Sequence, residues 1–153
     1  MPEKPLSALM REAQATSERY HKLANLVSSR IEEFDAWLAA LPGKVEVETS
    51  TTNPNFHPDF GSGGEHLVVG IRRIAKDWCL AFAEADESGH PDSTYDAPPE
   101  AAWKPVGNAS LRIKSAALHL LPQLVELFLS KQKLLIGVMG KIPQLERDGK
   151  ESA

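Results

Sequence analysis

The 153-residue chain reads as an α+β protein. It has a long N-terminal helix, a three-stranded antiparallel β-meander and a long C-terminal helix, with both helices packed on one face of the sheet. Three observations predict this: an apolar stripe with helical spacing at each end of the chain, and strict two-residue alternation between them. The two helices are expected to pack antiparallel across that face.

The first stripe runs Met10, Ala13, Ser17, Tyr20, Ala24, Val27, Ile31, Phe34, Leu38, Leu41. Its gaps alternate three and four, so one face of a single helix over Leu6–Leu41 carries all of it. Pro5 suits the first helical position and Ser7 can cap free amides. Pro42-Gly43 stops the helix, because proline breaks the ladder and glycine accepts a left-handed exit. At about 1.5 Å per residue such a helix spans roughly 54 Å, against a radius of gyration near 15 Å for a globule of this size. Its second half offers the large side chains and is expected to enter the core. The first half, with mostly small ones, is expected to project or to meet a partner helix.

Val45, Val47, Thr49 and Thr51 alternate with Glu46, Glu48 and Ser50, which predicts a half-buried strand over 44–52 at a sheet edge. Residues 53–64 follow as a Pro, Asn and Gly-rich loop. Its Gly61-Ser62-Gly63-Gly64 run lacks the Lys-Ser/Thr ending of a phosphate loop and leads into a strand. His66–Ile74 and Asp77–Ala85 form a hairpin. Leu67, Val69 and Ile71 face the helices with Trp78, Leu80 and Phe82. The other face, with Val68, Gly70 and Arg72 opposite Cys79, Ala81 and Ala83, is too apolar to be left to solvent. Arg72 and Arg73 point to opposite faces. The segment 86–107 is acidic, proline-rich and long for a loop in a compact domain, and Trp103 near its end is an anchor to the core.

Asn108 or Ser110 caps the last helix, whose stripe is Ile113, Ala117, Leu120, Leu124 and Leu127, widened by Leu121, Phe128, Leu135 and Met139. Pro122 lies inside it and Pro143 ends it. The domain is accordingly drawn over 1–142, with 143–153 as a flexible tail.

Composition narrows the function classes. Residues 1–41 carry 5 basic and 6 acidic groups, 42–107 carry 5 and 11, and 108–153 carry 7 and 4. The net charge of −4 gives no general attraction to nucleic acid or anionic membrane. Cys79 is the only cysteine, and it reads as a small hydrophobe in a strand. The opening residues lack a signal-peptide core and no stretch is long enough to span a bilayer, so the expected location is the cytoplasm.

Little in the sequence points to chemistry. His57-Pro58-Asp59 is similar to the three-residue signature of J-domain co-chaperones, but that signature joins two helices and this one lies between strands. It repeats at His90-Pro91-Asp92, where turn formation accounts for it. No histidine or cysteine spacing specifies a metal, and no catalytic residue, metal ligand or cofactor is assigned. The leading expectation is a non-enzymatic interaction or regulatory protein working through protein contacts, with a second copy of itself as one candidate partner. Its candidate contact residues are Glu84, Asp86, Glu87, Asp92 and Asp96, an acidic set suited to a partner's basic surface. The alternative is a cofactor-independent enzyme or small-ligand binder with a pocket between the sheet and the 86–107 loop. There Arg72 would anchor an anionic group and His66 would act as a base. Nucleic-acid binding ranks third, through Arg72, Lys76, Arg112 and Lys114 beside Trp78.

Overall fold

The computed structural model describes residues 4–51, 65–86 and 102–143. Its elements are helix α1 (Leu6–Ala40), strands β1 (Val47–Thr51), β2 (Glu65–Ile74), β3 (Asp77–Asp86) and β4 (Lys104–Pro105), a 3-10 turn (Val106–Asn108) and helix α2 (Leu111–Met139). The strands form one antiparallel sheet in the order β1-β2-β3-β4. The expected three-strand meander is present, with β1 at an edge, and β4 adds a fourth strand beside Ala81 and Phe82.

The 35 residues of α1 extend about 52 Å. Pro5 occupies the N-cap position, one place before the expected one, and no side chain caps the helix. The exit is as the sequence requires: Leu41 is extended and Gly43 takes φ +67°. In α2 the Ser110 hydroxyl accepts a bond from the Ile113 amide and caps the helix. Pro122 lies within that helix.

The main core lies between the helices and one face of the sheet. Ile31, Phe34 and Leu38 of α1 meet Leu67, Val69 and Ile71 of β2, Leu80 of β3, and Ala117, Leu124 and Phe128 of α2. Those are the bulky faces that alternation assigned to the helices. On the other face, Val68, Cys79, Ala81 and Ala83 are closed over by Trp103. Gly70 permits that closure, since a Cβ there would stand 2.7 Å from the Val47 carbonyl oxygen and 3.2 Å from the Trp103 ring.

The helices are not antiparallel. Lys114 Nζ donates to Ser28 Oγ at 3.1 Å, and Gln132 Nε2 donates to the Gly43 carbonyl at 3.1 Å. Eighteen residues of helix cover about 27 Å, so an antiparallel α2 would carry Gln132 back toward residue 10. Both helices therefore advance in the same sense. The reason is that they cross the strands instead of lying along them. α2 starts beyond β4 and by Lys131 has reached β1, where Lys131 Nζ donates to the Glu46 carbonyl at 2.7 Å. α1 meets β3 at Asp35 and hands the chain to β1.

Shared direction leaves two overhangs. Residues 6–26 of α1 run on past the start of α2, and the C-terminal turns of α2 run on past Gly43.

Candidate functional site at the sheet edge

The strand register brings Arg72 of β2 beside the start of β1. Val47 pairs with Ile71 and Glu48 with Gly70, so Glu46, Glu48 and Arg72 share the face opposite the helices. Arg72 Nε lies 3.2 Å from Glu46 Oε2, and its guanidinium sits 4.7 Å from the centre of the Trp103 ring. The same carboxylate oxygen accepts the Arg73 amide at 3.4 Å. Glu46 thus finishes the β1–β2 ladder where β1 has ended, and the arginine is held by an acid and an aromatic face. Its charge is compensated within the chain.

Glu48 stands one step further along. Its Oε2 is buried without a hydrogen-bond partner, as is Trp103 Nε1. An open cleft of about 580 Å³ wraps the outer edge of β1, lined by Glu46, Glu48 and Arg72 on one side and by Val47, Leu127 and Leu134 on the other, with Ser130 and Lys131 between. A second, more apolar hollow of about 340 Å³ lies next to it, lined by Gly43, Val45, Leu135, Ile136 and Met139 among others.

Sequence reasoning missed one half-buried polar residue at the margin of the main core. Asp35 of α1 accepts the Leu80 amide at 2.8 Å. Leu80 turns that amide toward β4, but β4 is only two residues long and the chain has already entered the 3-10 turn. The Asp35 carboxylate takes the missing strand's place. Burial pushes its pKa up, and the bond from Leu80 only partly opposes that. Spacing gave no signal for it, since Glu32 and Glu33 lie equally between core positions and are exposed. Cys79 is buried on the opposite face. Burial, then the negative charges of Asp35 and Asp77, raise its thiol pKa to about 11, so it is a poor nucleophile at neutral pH.

The expected site residues are dispersed. Arg72 lines the edge cleft, whereas His66 stands six residues away on β2, about 20 Å along the strand. The two are not brought together. Glu84 is exposed on β3, and Asp86 closes that strand opposite Glu65. Glu87, Asp92 and Asp96 lie outside the described residues, as do both His-Pro-Asp motifs and the tail 144–153. Among the described residues no group of three or more His, Cys, Asp or Glu is placed to hold a metal, and no helix is long and apolar enough to cross a membrane. The basic set proposed for nucleic acid is divided: Lys114 bonds Ser28 in α1, and Arg72 faces Trp103 across the sheet. Compared with protein-family models, curated proteins and solved structures, the chain matches none.

Proposed function

We propose that the chain is a non-enzymatic interaction module that works through protein contacts, with a second copy of itself as its first partner. One observation carries this reading: the overhangs of both helices expose large apolar side chains. On α1 they are Leu6, Leu9, Met10, Tyr20, Leu23 and Leu26, each between 47% and 72% exposed. Toward the end of α2 and just past it they are Leu129, Leu135, Ile136, Val138, Met139 and Ile142.

At roughly 100 Å² of apolar side chain each, about half of it exposed, these residues offer on the order of 600 Å². Split between the two ends, each patch is about 300 Å², ordinary for a monomer, and only the two together reach the roughly 600–1,000 Å² per partner of a standard interface. The arrangement also suits two copies. Because the helices advance together, the overhangs lie at opposite ends of the molecule. A two-fold axis across the helices sets each α1 overhang against the partner's α2 end, twice over, in one closed interface. The acidic set beginning at Glu84 is a second contact region, suited to a basic partner.

Small-ligand binding is the second reading, favoured by the cleft that touches Arg72. It ranks lower because Glu46 already neutralises the anchor and Trp103 fills the face where the pocket was expected.

Sedimentation velocity over a hundredfold concentration range tests the proposal. The wild-type chain is expected to sediment as a dimer, and the double variant Leu23→Glu/Ile136→Glu as a folded monomer. A wild-type chain that stays monomeric at the highest concentration overturns self-association.

A further inference from the structure

The edge of β1 carries a binding geometry that meets the α2 overhang at Leu134. Leu80 turns its amide away from β2, so its register partner Ile71 turns its own amide and carbonyl toward β1 and bonds to Val47. Alternation then sends the backbone groups of Glu46, Glu48 and Ser50 outward, to the open edge. The Lys131 bond to the Glu46 carbonyl agrees with this parity. Beyond that one capped carbonyl, the outward groups of Glu48 and Ser50 meet no further strand among the described residues. The cleft surrounds this edge, with an apolar wall and Lys131 on the helix side and Glu46, Glu48 and Arg72 on the other.

We propose that β1 accepts an extended segment of another protein as an added strand, and that this segment alternates apolar and cationic side chains. Strand addition supplies main-chain bonds to Glu48 and Ser50. Successive side chains of the incoming strand then point to opposite faces. One set packs on Val47, Leu127 and Leu134. The other lies beside the half-buried Glu48, which lines the cleft and pairs with no cation among the described residues, while Glu46 is already engaged by Arg72 and the Arg73 amide. A lysine or arginine on the added strand is therefore matched to Glu48. At that position Glu48 selects a cationic side chain over an acidic one, while Lys131 stands beside the Glu46 carbonyl.

The probe is a soluble eight-residue peptide of alternating lysine and valine, titrated into the full chain and followed by amide NMR shifts. Shifts centred on Glu48 and Ser50, with saturation, are the expected result. Ser50→Pro removes an outward amide that no described strand uses, and is expected to weaken binding at least tenfold while the melting temperature holds. Glu48→Gln is expected to weaken the lysine peptide by a similar factor, but to leave a serine–valine control peptide unchanged. A glutamate–valine peptide binding equally well would overturn the proposal, as would the absence of saturable shifts or equal binding by both variants. If the Glu48 and Ser50 amides prove already paired in the free chain, the edge belongs to this protein's own segments or to its second copy, and the proposal fails. The double variant Leu23→Glu/Ile136→Glu leaves the edge intact, so its peptide binding separates this outcome from any failure of self-association.

Discussion

The two halves of α1 carry one sequence pattern and meet two different fates. From Val27 onward the three-four stripe enters the core, where Ile31 and Leu38 are almost completely buried. From Leu6 to Leu26 the same register continues without a break, yet Met10 and Tyr20 stand more than 60% exposed. The helix does not change between them; its neighbour does. α2 begins beside Ser28 and advances in the same direction as α1, so nothing described in the chain follows the stripe back toward Leu6. A heptad-like stripe thus specifies that a face will be covered, and the topology decides whether the chain itself covers it.

Substitutions on either side of Val27 test this difference. Leu38→Ala should cost about 2–5 kcal/mol, the range for emptying a fully buried leucine site, measured by urea unfolding of the monomeric background. Asp35→Ala comes next. It leaves the Leu80 amide buried and unpaired, for about 1–3 kcal/mol, and slower proteolysis or unchanged unfolding would contradict the bond's role.

Asp35→Asn sharpens the same point through pH. The folded carboxyl has a raised pKa, so its favourable contribution is complete below the unfolded value near 3.9 and is lost as pH rises through the folded one. Stability of the wild type relative to Asp35→Asn should therefore fall from pH 4 upward and then level off. The same variant removes one of the charges that raise the Cys79 thiol, and faster alkylation of Cys79 at pH 9 would report it. On the exposed half, Leu23→Glu, compared with wild type at a dilution where both are monomeric, should change stability by no more than about 0.5 kcal/mol. A loss comparable to that of Leu38→Ala would mean that the overhang is part of the core after all.

The local elements were legible because each has its own period. Alternation located β2 and β3 to within a residue and sorted Leu67, Val69 and Ile71 from Val68 and Arg72. Trp103 was identifiable as an anchor because a large aromatic residue in a polar segment has few other uses. β4 was not legible, since Lys104-Pro105 is too short to show any period. The shared direction of the helices was hidden for a different reason. Reading helices as antiparallel presumes that they lie along the strands, and crossing angles leave no mark on a single helix's sequence. The Arg72–Glu46–Trp103 contact depends on register and on a loop's return, neither of which spacing encodes. Gly70 was visible as a glycine in a strand, but the ring that requires it was not.

On the proposed reading, a second copy covers the exposed half of α1. Sedimentation velocity on the wild-type chain and on Leu23→Glu/Ile136→Glu, run side by side with circular dichroism, tests it most directly. The expected result is a wild-type dimer, a variant monomer and the same helical signal per residue in both. A variant that remains dimeric, or a wild type that never leaves the monomer, would contradict it.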